Sequence, residues 1–512
     1  MTFNNVNKDN MQADKRQWAK TWLAQEKSLY INGAWVKASG KTWSAKNPAN
    51  GEVLGNYSFA DSSDVDRAVS VASTNFKQGL WRKTSRARRI ELLRQIAQVA
   101  RDHREELATL ASLENGKLYS EAYNDDLPDT ADIWDYYAGW VDKHSGETLP
   151  VENGFINYTV KEPVGVCALI VPWNYPLLIA CWKMAPALAM CNSVIIKPSE
   201  YTSYSLIRWL ELVHEKVELP SGTLNMLLGD GEVGAQLANH AQVDKVAFTG
   251  STAVGKEIVK ASSQSNLKSV SLELGGKSPN ILFEDTPNLK AAIKRSFQVM
   301  FSQKGEKCSE PTRIIIHENI YEQVVAELVN KAEAVVCGDP FDGNSTQGAQ
   351  CNETQYNKIL KYIELGKKEG ARLVAGGHAD GEGDNASGYF IRPTIFADVN
   401  NKSKLAQEEI FGPILVAIPF STESQAIEIA NDTPYGLAAG LYTADLSRAH
   451  RVAAQLDAGS VFINRYGCYD LTSPFGGFKQ SGWGKDMGRE SLDSYTKSKS
   501  IWIQVDEAPE NL

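Results

Sequence analysis

The segment KVAFTGSTAVGKEIVKASS, residues 245–263, decides the fold. An apolar strand pattern ends at a glycine turn, and a helical pattern begins directly after the turn. The segments before it repeat this alternation, which predicts an α/β fold with a parallel sheet and crossover helices. The repeating segments are SVIIKPSE (193–200), TSYSLIRWLELVHEKVELP (202–220), TLNMLLG (223–229) and EVGAQLANH (232–240).

A second alternating series starts near Gly276, with strands predicted at SPNILFE (278–284) and TRIIIHE (312–318). Nearer the N-terminus, residues 1 to about 28 are predicted to form a polar, partly helical arm. LYINGAWV (29–36) contains Asn-Gly between apolar runs and predicts a hairpin. NYTVKEPVGVCALIVP (157–172) is strand-like.

Length and composition narrow the class of protein. A chain of 512 residues predicts two to four domains. The formal net charge of −9 argues against a nucleic-acid partner, which would need a basic surface. The sequence contains no run of 18 apolar residues and no secretory signal pattern, so we expect no membrane association and a cytoplasmic location. Seven cysteines without a C-x-x-C pair favour a reducing compartment.

Cys308 is the candidate nucleophile. It lies in FSQKGEKCSEPTRIIIH (301–317), a loop between a predicted helix and a strand. Gly305 permits a tight backbone approach, and Lys307 is expected to favour the thiolate. The alternative is that Cys308 is a small buried apolar residue, which is the interpretation we give to the cysteines in GVCALIV, LIACWKMA and AVVCGD.

Glu273, in VSLELGGK (270–277), is the candidate general base. A carboxylate between two leucines at the end of an apolar strand is costly unless it is paired or functional. Burial would raise its pKa towards the range of a general base. The alternative is a glutamate that points to solvent from an edge strand.

The glycine turn at Gly250 is a candidate phosphate site, because a helix N-terminus offers free N–H groups. The pattern lacks a full G-x-G-x-x-G, so a plain strand-to-helix turn remains an alternative. IIKPSE (195–200) places Lys197 and Glu200 beyond another strand, where they could bind a ribose. A glutamate there would repel a 2′-phosphate and favour NAD over NADP. The alternative is a pair of solvated loop charges.

Eight motifs together identify a family. VPWNYP, IIKPSE, FTGS, LELGGK, GEKCS, EEIFGP, NDTPYGLAAG and PFGGFKQSG occur in this order. They closely resemble the aldehyde dehydrogenase superfamily, from about Leu29 to Ile503. The resemblance implies a hydrolytic, NAD-dependent enzyme that oxidises an aldehyde to a carboxylic acid through a thioester, without a metal.

The resemblance also implies residue roles. Cys308 would be the nucleophile, Glu273 the base for the deacylating water, and Asn174 the side-chain half of an oxyanion hole. The cofactor contacts would be Lys197 and Glu200 for the adenosine ribose, Ser251 for the pyrophosphate, Glu409 and Phe411 for the nicotinamide ribose and ring, and Trp173 and Gly250 along the cofactor path. The chain departs from the family at Ser309-Glu310-Pro311, where small residues are usual.

The substrate is less well specified. In relatives, the positions of Tyr175, Trp182, Tyr469 and Phe475 line the substrate tunnel. Asp126 and Asp129 lie three apart on a predicted helix and resemble the acidic pair of betaine-aldehyde and aminoaldehyde dehydrogenases. The alternative is an uncharged aliphatic or aromatic aldehyde.

Other activities remain open at this point. They are a CoA-acylating dehydrogenase, against which Glu273 argues, a cysteine hydrolase, which would need a paired histidine, and a catalytically silent relative.

The family fold implies three parts. A Rossmann-like NAD-binding domain would take residues 1–146 and 164–275, and an α/β catalytic domain would take 276–480. A small β oligomerisation segment would combine 147–163 with 481–512. Because such a segment exposes a strand edge, we expect a homodimer or homotetramer.

Overall fold

A computed structural model describes residues 8–505 of the chain. The predicted N-terminal arm is helical from Lys8 to Leu23, while residues 1–7 lie outside the described part. Among the described residues, every helix is too short or too polar to cross a bilayer.

The first sheet has eight strands and a parallel centre, as the alternating pattern predicts. The predicted hairpin at 29–36 is present and adds two antiparallel strands at one edge, with Asn32 and Gly33 at positive φ in its turn. In spatial order the strands are Ala34–Val36, Leu29–Ile31, Leu224–Met226, Ser193–Lys197, Val166–Ile170, Lys245–Thr249, Ser269–Glu273 and Gly482–Trp483.

The second sheet has seven strands, and all its neighbouring pairs are parallel except the pair at one edge, Arg372–Ala375 with Thr394–Ala397. In spatial order the strands are Arg372–Ala375, Thr394–Ala397, Ile414–Phe420, Arg313–His317, Pro279–Leu282, Ala438–Tyr442 and Ser460–Ile463. Helices cover both large sheets, so the chain has the mixed α/β fold that the sequence predicts.

A third, three-stranded sheet combines distant parts of the chain: Thr496–Gln504, Phe155–Pro163 and Thr148–Leu149. The stretch 157–172 is therefore two strands, since Phe155–Pro163 joins this sheet and Val166–Ile170 joins the first. Gly482–Trp483 pairs with Ser269–Glu273, so the residues after 480 are divided between two sheets. Two further pairs are Thr42–Lys46 with Val53–Ser58 and Tyr435–Gly436 with Phe478–Lys479.

Several helices begin at a side-chain cap, as on Asp61, Ser251 and Asn352. Asp61 and Asp64 form a reciprocal capping box on the helix Ser62–Gln78, which ends at Gly79 in a left-handed conformation. The α-helices are Lys8–Leu23, Ser62–Gln78, Leu80–Lys83, Arg86–Asp102, Arg104–Asn115, Tyr119–Glu121, Leu127–Ala138, Pro176–Ala189, Tyr204–Lys216, Gly231–Asn239, Thr252–Gln264, Leu289–Phe301, Tyr321–Glu333, Glu353–Lys368, Lys404–Gln407, Glu423–Asn431, Leu446–Ala453 and Glu490–Ser494. Ala122–Asp126 is a π-helical turn, and Ser302–Gly305, Glu318–Ile320 and Gly383–Asn385 are 3-10 turns.

The Arg313 side chain links the second sheet to the helix Glu423–Asn431 through hydrogen bonds. Its guanidinium is fully buried and donates to the carbonyls of Lys277, Ile429 and Ala430 and to Asn401 Oδ1. Four acceptors therefore depend on one side chain, and two of these hydrogen bonds, to Lys277 and Ala430, are fully buried. Leaving a buried acceptor without its donor costs about 1–3 kcal/mol.

We expect Arg313→Met to lower the free energy of unfolding by at least about 3 kcal/mol, because several acceptors lose their partners at once. Urea unfolding followed by circular dichroism measures the change. Arg372→Met is the matched control, since Arg372 forms exposed ion pairs with Asp398 and Glu322 and should change stability little. Equal stabilities of the two variants would contradict the role given to Arg313.

Candidate active site

A long cleft of about 600 Å³ lies at the carboxyl ends of the parallel strands of the first sheet. Ile170, Lys197 and Thr249, each the last residue of its strand, line it together with Glu200. Ligands of open parallel sheets bind at this edge, and the volume is in the range of a cofactor pocket. Lys197 is buried, and burial lowers the pKa of its ammonium. The cleft therefore fits the adenosine part of a dinucleotide.

The glycine turn that follows the strand Lys245–Thr249 forms part of the wall of this cleft. Gly250 lines the cleft, and Ser251 caps the helix Thr252–Gln264 by accepting from the Val254 N–H. The exposed first turn of that helix presents N–H groups that suit a pyrophosphate.

A smaller cavity of about 150 Å³ continues from the cleft. Trp173 and Gly250 line both spaces, so the two are contiguous. Eight of the residues singled out from the sequence meet here. They are Trp173, Asn174, Gly250, Ser251, Glu273, Cys308, Glu409 and Phe411.

Glu273 is the last residue of the strand Ser269–Glu273, at its buried end, and its side chain is buried. Burial, followed by the charge of Asp486, raises the pKa of Glu273 well above its ordinary value. Asp486 is itself held by Lys183 at 2.7 Å, in a buried ion pair. The solvent-facing alternative for Glu273 is wrong, because the added strand Gly482–Trp483 covers that edge of the sheet.

Cys308 opens onto the same cavity, in the loop between the helix Leu289–Phe301 and the strand Arg313–His317. Burial, and then the nearby carboxylates of Glu409 and Glu273, raise the pKa of the Cys308 thiol. Two glycines allow the backbones to approach: a side chain at Gly276 would collide with the Cys308 carbonyl, and one at Gly305 with Gly412.

The Lys307 ammonium donates its hydrogen bonds to the Val299 carbonyl and to Ser302 Oγ. Its effect on the Cys308 thiolate stays a prediction. Glu310 lies 3.8 Å from the same ammonium, with its side chain fully buried. Neither oxygen of Glu310 has a hydrogen-bond partner among the described residues, and burial raises the pKa of Glu310 well above its ordinary value.

Asn174 is buried beside the cysteine loop. Its Nδ2 donates to the Glu306 carbonyl at 2.9 Å, which fixes the plane of the amide. An amide nitrogen carries two hydrogens, so one N–H stays available to a substrate oxygen.

Two contributors to the cavity escaped the sequence reasoning. Gln355 donates to the carbonyls of Ile410 and Phe411 and so supports Phe411, which has a positive φ. Lys358 lies on the same helix, lines the cavity and is near Glu409, whose Oε1 accepts from the Gly276 N–H. Neither residue lies in a motif-like setting, because the contacts are made across more than 50 residues.

The predicted tunnel aromatics form a cluster outside this cavity. Trp182 and Tyr469 each pack against Phe475, with ring centroids 5.4 and 5.7 Å apart. Tyr469 donates to Ser309 Oγ at 2.7 Å, which places its ring beside the neighbour of Cys308. Tyr175 lies apart from these rings, under the Lys117 ammonium, 4.3 Å from the ring centroid.

The predicted acidic pair is not a free pair. Asp126 is buried in a tight ion pair with Lys117, whereas Asp129 is exposed. Burial, and then the charge of Asp126, raise the pKa of Asp129 to about 6. Only one of the two aspartates therefore faces solvent without a lysine partner.

Comparison with known proteins agrees with this geometry. The model of the aldehyde dehydrogenase family matches residues 35–501. A putative aldehyde dehydrogenase, DhaS of Bacillus subtilis, is 45% identical over 500 residues, covering 97% of this chain and 99% of the relative.

Two solved structures are closely similar. The NAD⁺ complex of an aldehyde dehydrogenase from Bacillus cereus has a TM-score of 0.92 at 42% identity, covering 98% of this chain and 100% of the other. An indole-3-acetaldehyde dehydrogenase mutant of P. syringae, AldA, in complex with NAD⁺ and IAA, has a TM-score of 0.93 at 41% identity, covering 96% and 99%. The chain therefore belongs to the aldehyde dehydrogenase family and is an NAD-dependent oxidoreductase of aldehydes.

Proposed function

We propose that the protein oxidises an uncharged aldehyde to a carboxylic acid through a thioester on Cys308, which water hydrolyses with Glu273 as the base. The observation that carries the proposal is the shared cavity of about 150 Å³, which Cys308, Asn174 and Glu273 all line. A thiol, an amide donor and a buried carboxyl group are the three groups that acyl transfer through a thioester needs.

The steps follow from these groups. The Cys308 thiolate adds to the carbonyl carbon, and the oxygen accepts from Asn174 Nδ2 and from the Cys308 N–H. Bound NAD supplies the two-electron acceptor that turns the thiohemiacetal into a thioester. Glu273 then takes a proton from water as the water attacks the thioester carbonyl, and the Cys308 thiolate departs. Lys197 and Glu200 would hold the adenosine ribose, Ser251 the pyrophosphate, and Glu409 and Phe411 the nicotinamide ribose and ring.

The choice of an uncharged substrate rests on Lys117. Its ammonium neutralises Asp126 and covers the face of the Tyr175 ring, which a cationic substrate would otherwise use. The aromatic cluster of Trp182, Tyr469 and Phe475 offers apolar contacts instead. The P. syringae relative, solved with IAA, carries the name of an aromatic aldehyde dehydrogenase.

We further propose a cytoplasmic homo-oligomer, a dimer or tetramer, built on the third sheet. Its edge strand Thr496–Gln504 is nine residues long, and Trp502 and Ile503 are exposed on it. Phe155 and Ile156 extend this apolar surface on the neighbouring strand. A long exposed strand edge is normally covered by pairing. In this arrangement the NAD-binding domain comprises residues 1–146 and 164–275. The catalytic domain comprises residues 276–480.

Replacing Cys308 by alanine removes the nucleophile, so we expect aldehyde-dependent NADH formation to fall by at least about 10³-fold. The control is Cys191→Ala, a half-buried cysteine away from the cavity, which should retain activity. Absorbance at the NADH band measures both variants. An active Cys308→Ala enzyme would overturn the mechanism.

Replacing Glu273 by glutamine removes the base but leaves the thiol. In stopped-flow measurements we expect one equivalent of NADH per site, followed by a slow steady state, because the thioester accumulates. In the wild type, hydrolysis requires the ionised carboxylate, and its pKa is raised by burial. Hydrolysis should therefore speed up as pH rises through that raised pKa, with the acidic limb well above the usual carboxyl range. An unchanged steady state in Glu273→Gln would exclude this role.

The substrate assignment is checked by comparing kcat/KM for phenylacetaldehyde, hexanal and betaine aldehyde. We expect the two uncharged aldehydes to be preferred over the cation by at least about 10-fold, because an unpaired charge is costly to desolvate. Lys117→Met should lower the ratio of kcat/KM for the uncharged aldehydes to kcat/KM for betaine aldehyde. The variant removes the ammonium that pairs with Asp126 and lies over the Tyr175 ring. A wild type that prefers betaine aldehyde would refute the assignment.

A further inference from the structure

Lys304 is a fully buried lysine four residues before Cys308. Its Nζ donates to both the backbone carbonyl and the Oδ1 of Asn115, at 2.9 and 2.6 Å. It also lies 2.9 Å from Glu306 Oε2 in an ion pair with almost no solvent exposure. The hydrogen bonds of this ammonium go to Asn115 and its ion pair is with Glu306.

Asn115 and Glu306 each form a hydrogen bond with a residue that lines the catalytic cavity. Asn115 Nδ2 donates to the Trp173 carbonyl at 2.9 Å, directly before Asn174. Asn174 Nδ2 donates in turn to the Glu306 carbonyl at 2.9 Å. The contacts therefore close a ring that runs from Lys304 through Asn115, Trp173 and Asn174 to Glu306 and back to Lys304. The ring joins the loop that carries the thiol to the loop that carries the amide.

The loop that Lys304 belongs to has an unfavourable backbone. Gln303 and Lys304 have φ values of 52° and 61°, and Gly305 follows at 73°. A non-glycine residue in the left-handed region costs on the order of 1–2 kcal/mol and persists only when surrounding contacts fix it. Glu121 accepts from the Gln303 N–H, and Gln350 donates to the Lys304 carbonyl. The Lys304 ammonium is the cation in this set of contacts.

We propose that Lys304 is a positioning residue for the oxyanion site. It acts through Asn115 and Glu306 to fix the Asn174 amide relative to the Cys308 N–H. The inference rests on the proposed function, because it assumes that Cys308 and Asn174 bind the substrate oxygen. Lys304 itself lines neither the cleft nor the cavity.

Lys304→Met removes the charge and keeps an unbranched side chain that is one atom shorter. We expect kcat for an aldehyde to fall about 10- to 100-fold, since a displacement near 1 Å of a positioned group costs about 10²-fold. KM for NAD should stay unchanged, because Lys197 and Glu200 are not affected. Hydrolysis of 4-nitrophenyl acetate without cofactor should fall in parallel, since it uses the same thiol and amide.

A double-mutant cycle separates positioning from loss of stability. Asn174→Ala alone should cost about 10²–10³-fold in rate, as loss of an oxyanion donor does. If Lys304 acts through Asn174, then Asn174→Ala should cost much less in the Lys304→Met background. Effects that multiply would overturn the proposal, as would an unchanged kcat in Lys304→Met.

Lys245→Met is the matched control. Lys245 is equally buried, at the opposite end of its strand from the cleft, with its ammonium over the Tyr495 ring. It should lose stability without coupling to Asn174, and equal coupling in both lysine variants would contradict the assignment. If Lys304→Met does not fold, Asn115→Ala breaks the same ring and must show the same non-additivity. Full activity of Cys308→Ala or Asn174→Ala would instead overturn the proposed function itself.

Discussion

The withdrawal of Glu273, which is buried, and Cys308, which is half-buried, from bulk water is the constraint on which the rest of the centre depends. Both groups are acids, and burial is the largest cause that raises the pKa of each, followed by Asp486 for Glu273 and by Glu409 for Cys308. A carboxyl group that is reluctant to ionise is a stronger base once it has ionised, which suits the removal of a proton from water. The same burial makes the thiolate of Cys308 more reactive when it forms. The cavity of about 150 Å³ leaves room for a few atoms of substrate and little bulk water.

The cavity exists because two sheets meet there. Glu273 ends a strand of the first sheet, and the Cys308 loop leads into Arg313–His317 in the second. The approach is so close that Gly276 and Gly305 have no room for a side chain. The long cleft is lined by the first sheet and its helices, so the cleft and the thiol belong to different parts of the chain. The reaction centre is consequently a property of the junction between the sheets.

Buried charges surround the cysteine loop on the side away from the cleft. Lys117 with Asp126, Lys304 with Glu306, and Lys307 with Glu310 are three lysine–carboxylate pairs with little solvent contact. Such pairs are weak evidence for stability, because desolvation offsets most of the attraction. Each, however, requires a particular geometry. Two of the pairs lie in the same loop as Gln303 and Lys304, which have positive φ values. We infer that the pairs specify the backbone shape of this loop.

Local patterns made much of the molecule predictable. The alternation of strand and helix patterns predicted the parallel sheets, and Asn32-Gly33 predicted the hairpin. Glu273 was recognised as a carboxyl group at the end of an apolar strand. The order of the motifs determined the family. These inferences succeed because they depend on residues that are adjacent or one helical turn apart, and such spacing is written directly in the chain.

The sequence by itself therefore determined the fold class, the family and eight of the residues that meet at the cavity. Only the tertiary structure decided which charges pair. It directed the hydrogen bonds of Lys307 to Val299 and Ser302, paired Asp126 with Lys117, and brought Lys304 to Asn115 across 189 residues. The physical reason is that a charged side chain is stabilised by whichever partner shares its buried site, and that partner is set by packing between distant segments.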